Sequence, residues 1–344
     1  MKIKKTIVTK DIQKYNFNQT IINSYKPIAG DVGLFEIVER GKHETIQSDL
    51  KRTVSIFEGD IIMAAFADRY ATAQYEGYVP EEPMELYDML SAGGAVGVVK
   101  TKNYALKDIE PTKIKLIGYC CDDKGAVINT KFYNKTKTTF SGHVPNNAKI
   151  ILSIGSTMDS GKTTTAAHIA RGLKEKNNKV AFIKFTGTAH TKDKDYVFDC
   201  GADVSLDFSD MGFPSTYMCE KNDLLDLYQS LLNSLESEKV DYIVMEIADG
   251  LYQRETNFLL KSKEFMKTIH SVVFSSGDSL SAHYGVQLLR EYGVMVSFVS
   301  GMFTMSPLLI EEVKHNLNIP VLTIDQIMTG EFNHLFIWQS LRVA

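Results

Sequence analysis

The sequence predicts an α/β protein: a mostly parallel sheet with helices on both faces, preceded by a smaller β-rich domain. Three observations lead there. From Gly30 to about Tyr133, short apolar runs alternate with turn residues. From Lys149 onward, apolar strands alternate with helical periodicities, the pattern of a parallel sheet covered on both sides. Between them, residues 134–147 are polar and turn-rich and read as a linker. At roughly 100–200 residues per domain, 344 residues suit two domains. We draw them at 1–145, with the linker at its end, and at 148–344.

In the first half, strands are expected at 32–38, 53–57, 61–66, 96–99 and 113–119. Gly41, Gly59, the pair Gly93-Gly94 and Gly125 punctuate them. Only Pro83 to Leu90 has a helical look, and barrel and sandwich both remain open. In the second half, strands are expected at 149–154, 180–185, 242–247, 271–275, 294–299 and 321–324. Helices are expected at 162–176, 224–235, 280–292 and 307–316. No internal repeat or low-complexity segment interrupts either half.

Composition narrows the function. With 38 Lys+Arg against 42 Asp+Glu, the formal net charge is −4, which argues against an extended basic face for nucleic acid. No apolar run approaches the length of a membrane span. The opening Met1-Lys2-Ile3-Lys4-Lys5 leads into polar residues, so no signal peptide is expected. Cys120, Cys121, Cys200 and Cys219 lack zinc-ribbon spacing and read as reduced thiols of a cytoplasmic protein. The eight histidines are scattered without ligand spacing and read as packing or surface residues.

The strongest chemical signal is Gly155-Ser156-Thr157-Met158-Asp159-Ser160-Gly161-Lys162-Thr163, with Thr164 extending it into the helix. It follows an expected strand and opens an expected helix, the setting a phosphate-binding loop requires. Helix N-terminal N–H groups point at an anion there, and the helix dipole favours negative charge. Gly161 lets backbone approach closely, Lys162 reaches the β- and γ-phosphate oxygens, and the Thr163 hydroxyl ligates Mg²⁺. Downstream, Lys184 lies near the end of the second expected strand, positioned as a second cation facing the phosphates. Another runs through Tyr242 into Glu246, the acid that a magnesium site beside the loop needs. Asp249 and Gly250 follow it. The stretch from His190 to Asp210 is rich in acids, including Asp193, Asp195 and Asp199.

Five residues separate Gly155 from Gly161, one more than the ordinary Walker A pattern. This longer loop resembles that of dethiobiotin synthetase and its relatives among the P-loop NTPases. Glu246, Ala248 and Gly250 are similar to that family's Val-Glu-Gly-Ala-Gly-Gly, while Asp159, Ser160, Phe185, Ile247 and Asp249 depart from its patterns. The resemblance covers about residues 149–330. It implies a further Mg²⁺-binding aspartate after the second strand, to which Asp199 is nearest in spacing, with Asp195 next. It also implies a homodimer. Residues 1–145 have no counterpart in dethiobiotin synthetase.

The expected function is therefore Mg²⁺-dependent nucleotide chemistry. ATP is favoured over GTP because no Asn-Lys-x-Asp guanine-reading motif is present; GTP is not excluded. Its γ-phosphate would activate a carboxylate or carbamate of an unidentified small molecule, with Lys162, Lys184 and Glu246 as the catalytic set. One alternative is a small-molecule or polynucleotide 5′-hydroxyl kinase. The other is a regulatory NTPase switch or maturation factor. The segments at 274–279 and 299–304, after expected strands, could reach the base or the second substrate.

Overall fold

A computed structural model describes residues 3–133 and 138–336. The chain divides into two compact units. The first takes the described residues up to 133 together with Gly187–Thr191 and Phe208–Met218; the second takes the remainder. Of the expected linker, 134–137 lies outside the described residues. Residues 140–146 are bonded onto the second unit: Phe140 N–H donates to Asp226 Oδ1 at 2.8 Å and Gln229 Nε2 donates to the His143 carbonyl at 3.0 Å. Among the described residues no helix is long and apolar enough to cross a membrane, and no disulfide joins the cysteines.

In the first unit the strand path closes on itself. Ile61–Phe66 pairs antiparallel with Val32–Glu39, which pairs with Lys113–Cys121, then Tyr87–Met89, then Ala95–Lys102. Ala95–Lys102 returns to Ile61–Phe66 in a parallel pairing. The unit is thus a small barrel, which the sequence left undecided. Phe35, Phe66, Tyr87 and Tyr119 fill its interior, with ring centroids of Phe66 and Tyr87 5.2 Å apart. The expected helix at 83–90 is instead the strand Tyr87–Met89. All three of its residues are buried, and it bridges two barrel strands, so tertiary packing overrides local preference.

The second unit is a six-stranded parallel sheet. Its strands are β1 (Lys149–Gly155), β2 (Val180–Lys184), β3 (Val204–Asp207), β4 (Tyr242–Glu246), β5 (Ser271–Ser275) and β6 (Val296–Ser300), in the order β3-β2-β4-β1-β5-β6. All five residues of β4, β5 and β6 are buried, as a doubly covered sheet demands. The helices are α1 (Lys162–Glu175), α2 (Lys192–Asp199), α3 (Lys221–Asn233), α4 (Arg254–Lys261), α5 (Lys263–Met266), α6 (Ser279–Glu291), α7 (Pro307–Asn316) and α8 (Ile324–Met328).

Ala166, Ile169, Ala170 and Leu173 recur at helical spacing on α1. They pack with Val197 of α2 and Ile327 of α8 against Ile151, Phe182, Val244 and Val273. Phe274, adjacent to Val273, points to the other face and meets Gly285 of α6. The helices therefore cover both faces.

Two expectations fail locally. The strand placed at 321–324 is a single bridge from Val299 to Val321. Thr323 and Gln326 instead form a capping box that starts α8. The short edge strand β3 and helix α2 lie within the acid-rich stretch from His190 to Asp210, where the sequence predicts no element.

Candidate phosphate-binding site

The loop between β1 and α1 lies at the centre of the sheet, where β1 runs between β4 and β5 and pairs Ser153 with Glu246. This is the carboxyl edge of an open α/β sheet, its usual ligand crevice. The loop is pinned from both sides. Ser156 N–H donates to the Ser275 carbonyl at 2.9 Å, and the Ser160 carbonyl accepts from Met302 N–H at 3.1 Å. Gly161 has φ +97°, and α1 begins there with no side-chain cap, leaving its first N–H groups to an anion. Asp159 also takes a left-handed φ, +61°, one that aspartate tolerates better than most residues. Across the loop, a Cβ on Gly250 would lie 2.3 Å from the Ser156 carbonyl, so the segment after β4 presses directly on the loop backbone.

Lys162 is buried, and its Nζ donates to the Thr157 carbonyl at 2.6 Å. Burial lowers its pKa to about 8, and the Lys184 charge adds to the fall; Glu246, Asp249 and Asp159 act against it. The ammonium is thus folded back on its own loop in a setting that lacks a full counter-charge.

Below it is a chain of charges. Lys184 Nζ lies 2.6 Å from Glu246 Oε1 and 2.7 Å from Asp193 Oδ2. Burial works against its charge, but Glu246 and Asp193 prevail and hold its pKa above the ordinary lysine value. Thr163 Oγ1 donates to the same Glu246 Oε1 at 2.9 Å. Glu246 is only 1% exposed, and its other oxygen, Oε2, is buried without a hydrogen-bond partner among the described residues. Ser160 Oγ is orphaned in the same way. A buried carboxylate oxygen left unpaired is costly unless something else fills its coordination.

A hard divalent cation takes oxygen donors, and Thr163 and Glu246 offer a hydroxyl and a carboxylate side by side. These residues fit Mg²⁺. Among the described residues no group of three or more His, Cys, Asp or Glu is arranged to hold a metal by itself. The remaining ligands would come from phosphate and water.

The structure brings Gly155 to Thr164, Lys184 and Glu246 together. It does not bring Asp199. That residue is exposed at the last position of α2, six residues and about 9 Å along the axis from Asp193. Two residues further on, Gly201 faces Lys174, eleven residues along α1 from Thr163 and about 16 Å from it. Asp199 is therefore corrected: the acid that reaches the site is Asp193, in the first turn of α2. Sequence reading noted Asp193 only as one of a run. No local signal singles it out, because α2 begins eight residues after the end of β2, past the Gly187–Thr191 segment that belongs to the first unit.

Lys184 is also placed differently from its expected role. It is engaged by two carboxylates rather than presented as a bare cation. The segments at 274–279 and 299–304 support the loop from behind: Ser276 N–H donates to the Ser300 carbonyl at 2.9 Å and Phe303 N–H to the Ser276 carbonyl at 3.2 Å. Thr164 is exposed, and its carbonyl lies 2.7 Å from His168 Nδ1. Asp249 adopts a left-handed φ of +62° in the turn before Gly250.

No protein-family model matches the chain, and no curated protein matches it. Solved structures similar to part of it include the hydrogenase maturation factor HypB from Archaeoglobus fulgidus, at 12% identity and TM-score 0.35, over 52% of this chain and 81% of that one. The signal recognition particle receptor FtsY from Elizabethkingia anophelis is similar at 14% identity and TM-score 0.35, over 54% and 65%. A ParA family ATPase from Chlorobium tepidum TLS is similar at 12% identity and TM-score 0.33, over 54% and 91%. The dethiobiotin synthetase resemblance rests on the loop spacing and the strand-end residues alone.

Proposed function

We propose that the second unit binds a nucleoside triphosphate with Mg²⁺ and turns over its γ-phosphate. The carrying observation is the chain of contacts Thr163–Glu246–Lys184–Asp193, centred on the buried Glu246, beneath a glycine-bounded loop. In this reading the loop N–H groups and the α1 N-terminus receive the phosphates. Lys162 leaves the Thr157 carbonyl for a phosphate oxygen and regains a full counter-charge. Thr163 and Glu246 would hold Mg²⁺, which would supply charge neutralisation to the phosphates. Lys184 is a positioning residue: it fixes the Glu246 carboxylate by ion pairing.

ATP is the proposed nucleotide, with GTP second. The proposed acceptor is the carboxylate or carbamate of a small molecule, activated as a mixed phosphate anhydride, and the proposed assembly is a homodimer; both rest on the dethiobiotin synthetase resemblance. One observation favours a second reading, a hydrolytic switch. The Lys184 charge is already satisfied by Glu246 and Asp193, so it has little left for a phosphorylated acceptor.

The test follows γ-labelled ATP, and separately GTP, with Mg²⁺ and hydroxylamine. Small-metabolite fractions or 5′-hydroxyl oligonucleotides serve as acceptors, beside Lys162→Ala. Hydroxamate formed only with a metabolite fraction supports the anhydride chemistry. Label on an oligonucleotide makes the protein a kinase, and phosphate release without acceptor makes it a switch. Activity unchanged in Lys162→Ala removes the site altogether.

A further inference from the structure

The second unit holds a separate groove of about 460 Å³ between α3 and α4. Its chemistry is uneven. Three cations line it beside Leu224 and Phe258: Lys221, Arg254, and Lys261, whose ammonium stands 4.5 Å from the ring centroid of neighbouring Tyr292. One acid lines it, Glu255, and that acid is 2% exposed and already held by Arg254 Nη1 at 2.6 Å. The lining side chains thus leave a net charge of about +2, three cations against one carboxylate.

The placement of the cations is the anomaly. Lys221 and Arg254 each occupy the first position of a helix, where the dipole disfavours positive charge. Arg254 and Lys261 are seven residues apart on one face of α4, about 10 Å along its axis. Lys221 Nζ stands 5.1 Å from the Phe258 ring centroid, so charge and aromatic surface are presented together. With Arg254 paired to Glu255, an anion seated here would meet the Lys221 and Lys261 charges, which no lining carboxylate offsets, while its carbon skeleton would cover Phe258 and Leu224. Neither requirement is met by a bare inorganic ion or by a neutral apolar molecule.

We infer that the groove between α3 and α4 is a binding site for an amphipathic organic anion, a carboxylate or sulfonate head on an apolar body. It is distinct from the phosphate loop, and its occupancy does not depend on the nucleotide reading.

The test uses the full chain without nucleotide and 8-anilinonaphthalene-1-sulfonate as a fluorescent probe, with decanoate and decyltrimethylammonium as competitors. One equivalent should bind saturably, and decanoate but not decyltrimethylammonium should displace it. Lys221→Glu and Lys261→Glu, both at exposed positions, should each weaken binding tenfold or more while circular dichroism stays that of the parent. Lys314→Glu on α7, a reversal of an exposed charge elsewhere, should leave it unchanged. Lys162→Ala should also leave it unchanged. The inference is overturned by absence of saturable binding, by undiminished binding in both groove variants, by an equal loss in Lys314→Glu, or by loss in Lys162→Ala, which would put the probe at the phosphate loop.

Discussion

Removing the Lys184 ammonium should destabilise the protein through Glu246 rather than through lost packing. In Lys184→Met the side-chain volume is nearly kept, but Glu246 Oε1 loses its cation at 2.6 Å and retains only the Thr163 hydroxyl. Oε2 already lacks a partner among the described residues. Breaking one side of a buried pair costs about 3–5 kcal/mol, and the 13% side-chain exposure of Lys184 places this case near 3 kcal/mol. The Asp193 contact adds less than about 1 kcal/mol, because that carboxylate is 39% exposed and screened. Glu246→Gln alone keeps a hydrogen-bonding side chain and leaves Lys184 paired with Asp193, so its loss should be smaller, about 1–2 kcal/mol. The double variant removes both charges together. Its loss should fall short of the sum of the singles by about 1.5 kcal/mol or more, as expected for groups in direct contact. Urea unfolding followed by far-ultraviolet circular dichroism, without nucleotide, measures all four corners. A single-variant loss under about 1 kcal/mol, or additivity within about 0.5 kcal/mol, would refute the reasoning.

Further expectations follow from the same geometry. Lys162 has a folded pKa of about 8, below its unfolded value of 10.5, so the native state holds fewer protons between those pH values and its stability should rise as pH climbs from 8 to 10.5. Lys162→Met should flatten that rise in a pH series of urea midpoints. The same lysine must be charged to hold phosphate, so ATP affinity should be level at pH 6–7 and fall above about 8; an equally steep fall in Lys162→Ala would contradict this. His43 is pushed down to about 4 by burial, then by Arg69 and Lys42, so its contribution is present above pH 6.5 and lost as pH falls from there towards 4. His43→Gln should remove that acid sensitivity in thermal melts taken across the range. Gly250→Ala should weaken nucleotide binding tenfold or more by titration calorimetry, because its Cβ would lie 2.3 Å from the Ser156 carbonyl; parental affinity would show that the loop yields.

The sequence made the second unit legible because its signals are local. The Gly155–Thr163 loop, the buried runs of β1, β2 and β4, and the α1 periodicity each specify an element without help from distant residues. Glu246 was found because an acid closing an apolar strand has one plausible location in a parallel sheet. Asp193 was missed, and Asp199 chosen, because the error lay in where α2 starts. An acidic stretch gives no periodicity to mark the first turn, yet six residues of helix separate Asp193 from Asp199. Tyr87–Met89 was misread for a different reason: its strand exists only because the barrel closes through it, a long-range requirement absent from its own residues. The pairing of Lys184 with two carboxylates was likewise hidden, since it joins β2, β4 and α2, which only the fold brings together.

The most direct test of the account is titration of ATP into the full chain by calorimetry with Mg²⁺, with EDTA, and with the Lys162→Ala and Glu246→Gln variants. The account predicts one site per chain, affinity lost by about tenfold or more in Lys162→Ala, and Mg²⁺ dependence that disappears in Glu246→Gln while binding itself survives. Equal affinity in all four conditions, or no binding of either ATP or GTP, would contradict it.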